Sequence, residues 1–300
     1  MPPKKPIGDI CINGIESFSE FPIEDVFKTL YFIYAGKVFT NKRGIRFGAS
    51  SSLFLRDENR SENWPNWTSP IGVVLGPNVR ETMYCHLLCG LIRAEEVRVI
   101  SSIFAYGITE AFRLLEEVWE ELCIDIQTGT LSKSRVTDAS VREAMETLLW
   151  PNPQLSQKVR AECEKGWSGI IKRLWPNVKY IFTILTGSME PYVPYLKNYA
   201  GEIPLVSGDY GSSECMTGIN LDPRSSYDQI SFTLLPNTAY FEFLPIKHNG
   251  GDESPVDITG VQIGEEYELI VTTIAGKLLQ IFYATFLFLG KCSKNSPKLC

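Results

Sequence analysis

The stretch Val206-Ser-Gly-Asp-Tyr210-Gly-Ser-Ser-Glu214 joins the end of an apolar segment to a turn rich in hydroxyl, aromatic and carboxylate groups. Ile203 to Ser207, which overlaps its start, predicts a short buried strand, and Val178 to Thr186 predicts another. Between them, Pro191 to Ala200 opens with proline and is followed by Gly201, a pattern typical of a helix. Strand, helix and strand in this order predict a right-handed crossover in a parallel sheet.

The loops after these two strands are the candidate ligand-binding segments, because ligands in parallel sheets bind just beyond the carboxyl ends of the strands. We expect the loop beginning at Thr186 and the loop Asp209 to Glu214 to face one crevice. In the second loop a glycine lets the backbone approach a ligand, and the side chains offer hydroxyl groups to phosphate, a ring to a base and a hard carboxylate oxygen to Mg2+. These residues are Gly211, Ser212, Ser213, Tyr210 and Glu214. The alternative is a polar strand-to-helix loop whose serine and glutamate side chains cap the next helix.

Periodicity predicts further elements. Ile108 to Gln127 has apolar residues at helical spacing with a run of glutamates on the solvent side, and Gly129 ends it. Ser140 and Glu143 have the spacing of a capping box. The other predicted helices are Glu81 to Ile92, Ser140 to Leu149, Leu155 to Lys165 and Trp167 to Leu174. The other predicted strands are Ile71 to Leu75, Val97 to Phe104 and Tyr267 to Thr272. A β-hairpin is predicted from the strands Ile230 to Leu235 and Ala239 to Ile246. Together they predict an α/β fold with mixed or parallel sheets, flanking helices and a β-hairpin region.

Composition restricts the classes of partner. The 300 residues are 44% hydrophobic and 21% charged, as in a globular protein, and the net charge of −6 gives no electrostatic reason to expect nucleic acid or a membrane as partner. The eight cysteines form no CxxC pair and only two histidines accompany them, which argues against a zinc site. His86, among apolar neighbours, is interpreted as a hydrogen-bonded core residue. No signal segment opens the sequence, so we expect a cytoplasmic, reduced protein and a monomer.

Several motifs, in order along the chain, resemble those of the plant auxin-responsive acyl acid amido synthetases, which belong to the acyl-adenylate-forming superfamily. The clearest are Asp209-Tyr-Gly-Ser-Ser-Glu214 and Thr186-Gly-Ser-Met-Glu-Pro-Tyr192. The others are Tyr84-Cys-His-Leu-Leu-Cys-Gly90, Val118-Trp-Glu-Glu-Leu-Cys123, Leu174-Trp-Pro-Asn177, Tyr240-Phe-Glu-Phe243 and Val271-Thr-Thr-Ile-Ala-Gly276. The sequence looks closest to members that use jasmonate or benzoate-type acids.

The resemblance implies a division of the chain. Residues 30–276 would form part of the large N-terminal domain of an acyl-adenylate-forming enzyme, with a divergent segment at 1–29 and a divergent apolar tail at 277–300. The family's C-terminal lid domain, which brings a catalytic lysine, would be absent. The apolar run Leu278 to Leu289 is too short to span a bilayer and could form a strand, a helix or an exposed segment.

Two family features do not occur in this sequence: a serine-rich phosphate loop of the Ser-Ser-Gly-Thr type, and the ribose-binding aspartate expected after Ala275-Gly276. We therefore interpret the chain as a truncated or mis-spliced product with negligible ligase activity of its own and an active parent protein. The rival hypothesis is a non-catalytic acyl-acid-binding or interaction protein derived from the family.

The resemblance also implies a reaction. An acyl carboxylate attacks the α-phosphate of Mg·ATP, giving an acyl-adenylate and pyrophosphate, and the amine of a free amino acid then attacks the activated carbonyl, giving an amide and AMP. Tyr210 would contact adenine, and Ser212 and Ser213 would lie near the α-phosphate. The implied nucleotide-binding residues are Thr186, Gly187, Asp209, Tyr210, Gly211, Ser212 and Ser213, with Glu214 as both the catalytic carboxylate and the Mg2+ ligand.

Two residues are implied in binding the acyl acid, each with an alternative. Arg56 would hold the polar end of the acid, or it is a surface arginine among Asp57 and Glu58. Met216 would contact the acyl group, or it is a plain core residue.

Overall fold

The computed structural model describes residues 27–57, 66–212, 215–246 and 254–272, and the backbone of 279–287. These residues divide into two compact units. The first contains the described residues up to Ser207 together with Pro223–Gln229, and the second contains Gly208–Asp222 and the described residues from Ile230 onward. The predicted division into residues 1–29, 30–276 and 277–300 stays a prediction.

A four-stranded parallel sheet forms the centre of the first unit. Its strands, in spatial order, are β1 (Lys28–Tyr31), β4 (Val97–Phe104), β5 (Tyr180–Ile184) and β6 (Leu205–Val206). Val97, Val99 and Ile100 of the central strand β4 are buried, as expected for a parallel sheet with both faces covered. The strands predicted around Val97, Val178 and Ile203 and their parallel pairing are confirmed, the last two being shorter than predicted.

Helices flank this sheet, and a short antiparallel pair, β2 (Phe39–Thr40) and β3 (Arg46–Phe47), precedes them. The helices are α1 (Ser50–Leu55), α2 (Ile71–Val74), α3 (Val79–Ile92), α4 (Ala105–Thr128), α5 (Ala139–Glu146), α6 (Pro153–Cys163), α7 (Ile170–Leu174) and α8 (Val193–Ala200), with a 3-10 helix, Gly187–Tyr192, before α8. The long helix α4 buries Ile108, Phe112 and Leu115 completely. It ends at Gly129, whose φ of 67° is left-handed.

The second unit consists of two antiparallel sheets. One contains β7 (Asp209–Gly211), β8 (Met216–Ile219) and β9 (Thr233–Leu234); the other contains β10 (Tyr240–Pro245), β11 (Glu266–Thr272) and β12 (Leu279–Leu287). Because β9 pairs with β8 and β10 pairs with β11, the predicted β9–β10 hairpin is wrong. The apolar run of the tail forms a strand, one of the three possibilities left open.

The predicted fold class, α/β with mixed or parallel sheets, flanking helices and a β-hairpin region, is confirmed, with hairpins formed by β7–β8 and β10–β11 instead of by β9–β10. In the part of the chain that the structure describes, no helix is both long enough and apolar enough to cross a membrane.

Candidate functional site

The carboxyl edge of the parallel sheet presents aromatic side chains to solvent. Phe104, the last residue of β4, is 49% exposed, and Tyr106 in the first turn of α4 is 47% exposed. The Tyr106 ring meets the Tyr192 ring edge-on, with centroids 5.2 Å apart. Exposed apolar groups at a strand end are suited to an apolar ligand. Sequence analysis missed these residues, although their position at the end of a predicted strand was a usable signal.

Helix α4 begins directly at this edge. It can approach β4 closely because Gly107 has no side chain: a Cβ there would lie 2.5 Å from Ser102 Oγ. Ser102 Oγ in turn donates a hydrogen bond of 3.1 Å to the Phe32 carbonyl. Phe104 occupies the N-cap position and supplies no side-chain cap. The partial positive charge of the helix N-terminus therefore lies at the carboxyl edge of the sheet.

The loop after β5 contributes the predicted residues Thr186 and Gly187 to the same edge. The half-buried Thr186 occupies the N-cap position of the 3-10 helix, and its carbonyl accepts a hydrogen bond of 3.3 Å from Met189 N. Gly187 has a left-handed φ of 62°, which favours glycine. Its N–H donates to Glu190 Oε1 at 3.0 Å, which holds the turn.

The stretch from Asp209 onward forms a β-hairpin. Strand β7 pairs with β8, with Tyr210 opposite Gly218 and Gly211 opposite Met216. Ser212 N donates a hydrogen bond of 2.9 Å to the Cys215 carbonyl, which closes the turn. The alternative in which this loop caps a following helix is wrong, because a strand follows.

Ser213 and Glu214 lie outside the described residues. Their contacts with phosphate and Mg2+ therefore stay predictions. Within the described ranges, no group of three or more His, Cys, Asp and Glu side chains is placed to hold a metal ion. A Mg2+ ion that arrives on a polyphosphate needs only one or two protein carboxylates, and a single glutamate fits that requirement.

Tyr210 is held in an aromatic pair. Its ring lies 5.2 Å from that of Phe232, at an interplanar angle of 45°. The pair depends on Gly218, because a Cβ at that position would lie 2.9 Å from the Thr233 carbonyl oxygen and 3.2 Å from Phe232 Cβ. The Tyr210 ring, which we predicted to stack on a base, is therefore held by its contact with Phe232. This contact requires that position 218 in β8 carries no side chain.

Asp209 is half-buried at the start of β7. Burial raises the pKa of its carboxyl group to about 6, since the charged form loses hydration. The side chain therefore changes charge just below neutral pH, a property that the sequence did not predict.

Gly211 and Met216 lie opposite each other in the hairpin. A Cβ on Gly211 would lie 3.2 Å from the Cys215 carbonyl oxygen and 3.3 Å from Met216 Sδ. Glycine at position 211 thus lets strands β7 and β8 come close together, a role that is separate from the approach of a ligand. Met216 is half-buried, and its carbonyl accepts a hydrogen bond of 2.6 Å from Thr238 Oγ1. Contact of Met216 with an acyl group stays a prediction.

Arg56 has a structural role that the sequence did not indicate. Its Nε donates to the Gly36 carbonyl at 3.0 Å, and its Nη2 donates to the carbonyls of Ala35 and Leu75 at 2.7 and 2.9 Å. The interpretation as a solvated surface arginine is therefore wrong. Three of the five guanidinium N–H groups are used, so an acid could be bound only through Nη1, and that role stays a prediction.

Comparison with known proteins identifies the family. Residues 11–205 match the GH3 family N-terminal domain, and residues 232–279 match the GH3 family central domain. The first match begins at residue 11, within the segment 1–29 that we predicted to be divergent.

Named relatives agree with this match. The jasmonoyl-L-amino acid synthetase JAR6 of Nicotiana attenuata is 45% identical over 267 residues, 86% of this chain and 46% of the relative. The 4-substituted benzoates-glutamate ligase GH3.12 of Arabidopsis thaliana is 47% identical over 234 residues, 76% of this chain and 40% of the relative. The chain thus spans about half the length of these relatives.

Solved structures give the same result. The GH3.15 acyl acid amido synthetase superimposes with a TM-score of 0.84 at 32% identity, covering 95% of this chain and 50% of that protein. The predicted resemblance to acyl acid amido synthetases is confirmed by all three comparisons. With the N-terminal domain match covering most of its length, the chain belongs to the GH3 family.

Proposed function

We propose that the protein is an ATP-dependent acyl acid amido synthetase, which conjugates an amino acid to a plant hormone-like carboxylic acid of the jasmonate, auxin or benzoate class. The observation that carries this proposal is the 45% identity to a jasmonoyl-amino acid synthetase over most of the chain. An indole-3-acetic acid-amido synthetase of Arabidopsis thaliana at 38% identity and the benzoates-glutamate ligase at 47% support the other two acid classes.

The reaction has two half-reactions. The acid's carboxylate oxygen attacks the α-phosphorus of ATP and pyrophosphate leaves, which converts the carboxylate into an acyl-adenylate. The amino acid's amine then attacks the acyl carbon, AMP leaves and a proton is released. Mg2+ supplies charge neutralisation on the phosphates. The residues of this chain position the reactants and stabilise charge rather than form covalent intermediates.

The β7–β8 hairpin is the nucleotide-binding part of the proposal. The Tyr210 ring, fixed by Phe232, contacts adenine. Ser212 and Ser213 would approach the α-phosphate, and Glu214 would hold Mg2+, as the resemblance implies. The nucleotide-binding role that the resemblance implies for Thr186 and Gly187, at the carboxyl edge of the parallel sheet, stays part of the proposal as a prediction.

The acyl group packs, in this proposal, on the aromatic surface at the end of β4. Phe104 and Tyr106 are half exposed there, so an apolar acid gains buried contact area at little cost in rearrangement. The uncapped N-terminus of α4 places partial positive charge beside the same surface, which suits a carboxylate. Arg56 Nη1, in the same unit, completes the acid-binding set; the contact of Met216 with the acyl group stays a prediction of the resemblance.

We also propose that the protein is a cytoplasmic monomer. The five described cysteines, Cys85, Cys89, Cys123, Cys163 and Cys215, are buried and form no disulfide with one another. Free thiols in this number are typical of a reducing compartment.

ATP–pyrophosphate exchange with jasmonate, indole-3-acetate and 4-substituted benzoates tests the proposal. The 300-residue chain is expected to exchange at least about a hundredfold more slowly than the Nicotiana attenuata synthetase assayed beside it, because its sequence has no serine-rich phosphate loop. Robust exchange by the chain would overturn this expectation and support the proposed activity, whereas no acid-dependent exchange above background with any of the acids would count against the proposal. The chain is nevertheless expected to bind one of the acids, and this binding should weaken in Phe104→Ala; failure to bind any of them would overturn the assignment of the acid site.

The exposed aromatic surface of Phe104 and Tyr106 also suits one alternative, a non-catalytic acyl-acid-binding protein of the same family. Its signature is an increase in melting temperature with the acid alone that ATP does not enlarge. A synthetase should instead show a larger increase when both ligands are present.

A further inference from the structure

The short hairpin β2–β3 of the first unit is exposed along its length. Phe39 pairs with Phe47 and Thr40 pairs with Arg46, and every residue from 39 to 49 is exposed. An isolated two-stranded hairpin is at best marginally stable in water. Contacts at its base and at its tip must therefore hold it in place.

At the base, two arginines connect the hairpin to the rest of the unit. Arg46 Nη2 donates a hydrogen bond of 2.9 Å to the Arg56 carbonyl. Arg56 in turn donates from Nε to the Gly36 carbonyl at 3.0 Å and from Nη2 to the Leu75 carbonyl at 2.9 Å. The segment that enters the hairpin and the strand that leaves it are thus both tied to Arg56, one through its side chain and the other through its carbonyl.

At the tip, a three-residue loop is held by Asn41. Its Oδ1 accepts hydrogen bonds from the backbone N–H groups of Arg43 and Ile45, both at 2.9 Å. Gly44 has a left-handed φ of 79°, which this kind of hairpin loop requires at its last position. The hairpin therefore has a defined conformation from base to tip, and little ordering is needed when a partner binds.

One face of the hairpin is apolar. Phe39, Ile45 and Phe47 are 54%, 59% and 52% exposed. They share a face, because Phe39 is opposite Phe47 and side chains alternate along a strand. The two phenylalanine rings stack with centroids 5.6 Å apart and an interplanar angle of 24°. Three large apolar side chains on one exposed face indicate an interaction surface.

The hairpin is also cationic. Four cations lie in it or beside it: Lys37, Lys42, Arg43 and Arg46. Within the described ranges, the side chains of the first three form no hydrogen bond or ion pair, and Arg46 bonds to a neutral carbonyl. Residues 28–56 contain no Asp or Glu; of the acids that flank this range, Asp25 lies outside the described residues and Asp57 adjoins the base of the hairpin. In a chain with a net charge of −6, the hairpin is a local positive site.

A lipid surface fits this combination better than other partners. A second copy of the chain would bring the same cations face to face. Nucleic acid stacks its bases on open aromatic faces, but the two phenylalanine rings already stack on each other and Ile45 has no ring. Because residues 39–49 are all exposed, they form a ridge and not a groove that would enclose a peptide. A ridge with an apolar face and cations at its tip suits a layer with an apolar interior and anionic headgroups.

We propose that the hairpin β2–β3 binds the surface of a membrane that contains anionic lipids. Its apolar face enters the interface, and its cations pair with the headgroup phosphates. The net charge gave no reason to expect a membrane, but the charge is unevenly distributed along the chain. Binding is peripheral and reversible, because one small apolar face is not sufficient for stable anchoring. The inference does not rest on the proposed function, since the hairpin is separate from the aromatic surface at the end of β4 and from the β7–β8 hairpin.

Photocrosslinking on vesicles tests the inference with the unaltered 300-residue chain. The probe is a phosphatidylserine that carries a diazirine in its acyl chain, added in trace amount to vesicles of phosphatidylcholine with about 30% phosphatidylserine. Label is expected within residues 37–47, as located by mass spectrometry. Vesicles of phosphatidylcholine alone, with a matching phosphatidylcholine probe, should give little label there. Equal labelling from both kinds of vesicle, or label confined to other segments, would overturn the inference.

Vesicle co-sedimentation measures the contribution of each group. Lys42→Gln and Arg43→Gln should each weaken partitioning onto the anionic vesicles about fivefold, the equivalent of about 1 kcal/mol per cation at such a surface. Ile45→Ser should also weaken it about fivefold, because it removes apolar area that the membrane would bury. The matched controls, Lys172→Gln and Ile263→Ser, replace exposed residues outside the hairpin and should change nothing. Undiminished partitioning of the Lys42→Gln/Ile45→Ser double variant would refute the proposal.

Two further measurements distinguish the other partners. Single-stranded RNA that binds the chain, and binds the Lys42→Gln variant less well, would assign the hairpin to nucleic acid if vesicles do not bind. A dimer that Ile45→Ser dissociates in analytical ultracentrifugation, again without vesicle binding, would assign it to a second copy. Either result would overturn the inference. Circular dichroism checks that the variants are folded, and should one of them unfold, crosslinking of the unaltered chain still decides the question.

The result is separable from the fate of the proposed function. Acid binding, measured as an increase in melting temperature, should be equal in Lys42→Gln and in the unaltered chain, because the tip of the hairpin is not part of the acid site. Label in the hairpin without acid binding would support the membrane surface and overturn the assignment of the acid site. Acid binding without label in the hairpin would do the reverse.

Discussion

Gly218 leaves the space through which Phe232 reaches the ring of Tyr210. An added methyl group would meet the Thr233 carbonyl oxygen at 2.9 Å, so Gly218→Ala must displace β9 and loosen the aromatic pair. We expect a loss of about 1–3 kcal/mol in the free energy of unfolding and weaker binding of adenine nucleotides. Urea denaturation and nucleotide titration measure the two effects. An alanine variant with wild-type values in both would show that β9 does not position Tyr210.

Asp209 should make stability depend on pH in an unusual direction for a carboxylate. Its folded pKa of about 6 exceeds the ordinary value of about 3.9, so the folded state keeps a proton that the unfolded state has lost. The contribution of Asp209 to stability is therefore lost as pH rises from about 4 to 6. Asp209→Asn should stabilise the chain more at pH 7.5 than at pH 5, as measured by urea denaturation. A gain that is equal at both pH values would contradict the raised pKa.

At the residue scale, sequence reasoning found the positions that follow strand ends and missed their partners. Thr186, Gly187 and Tyr210 could be singled out because the strands before them are visible as apolar runs. Nothing local indicated that Arg56 would donate to carbonyls of residues 35, 36 and 75, or that Tyr210 would need Gly218. Such partners are set by how distant segments pack, which a single sequence does not state.

Two residues, Asp138 and Ser140, are candidates for the N-cap of helix α5. The spacing of Ser140 and Glu143 predicted a capping box, but Asp138 is the N-cap, and its Oδ1 accepts hydrogen bonds from Val141 N at 3.0 Å and from Ser140 Oγ at 2.6 Å. Asp138→Ala should cost about 1 kcal/mol in the free energy of unfolding. Ser140→Ala, the matched control, removes only a supporting bond and should cost less. The reverse ranking in urea denaturation would restore Ser140 as the cap.

At the element scale, long periodic segments were predictable and short apolar ones were not. The 24-residue helix α4 follows from its periodicity and from the glycine at its end. Ile71 to Leu75, predicted as a strand, contains helix α2, since a run of five apolar residues fits either structure. The deciding contact lies far along the chain: a Cβ on Gly72 would be 2.6 Å from that of Ala144 in α5. A distance this short between positions 72 and 144 shows that α2 and α5 pack closely against each other.

The stability of the whole molecule should fall at mildly acidic pH because of His86. Its Nε2 donates to the Ile33 carbonyl at 2.9 Å and its Nδ1 accepts from Ser69 Oγ at 2.7 Å, so the predicted core histidine is confirmed. Burial lowers its pKa to about 4. Between pH 6.5 and 4 the unfolded state therefore binds a proton that the folded state does not, and the free energy of unfolding falls as pH falls, by up to about 3 kcal/mol.

Urea denaturation between pH 7.5 and 4.5 measures this loss. The experiment is best made in an Asp209→Asn background, because Asp209 acts in the opposite sense over part of the range. His86→Gln removes the titrating group and should flatten the curve. An unchanged slope in that variant would assign the acid sensitivity to other groups.

The division into two units was not predictable from composition. The stretch Ser207 to Ser213 is rich in glycine and serine, but its residues were assigned to ligand binding and not to a boundary. The two family domains match residues 11–205 and 232–279. The gap between them contains β7, β8 and the segment Pro223–Gln229, which returns to the first unit. A chain that crosses between units and back leaves no local signal of a boundary.

The parallel sheet has a consequence for how the chain is made. Ser102 bonds to Phe32, 70 residues earlier, and Ser101 bonds to Phe182, 81 residues later. Strand β4 therefore pairs with two strands, β1 and β5, that are both distant from it in sequence. High contact order of this kind slows folding. On a ribosome, about 150 residues separate the first partner from the last, roughly 8 to 30 s of synthesis. Throughout that interval the apolar strand at the centre of the sheet must be shielded by something other than its final neighbours.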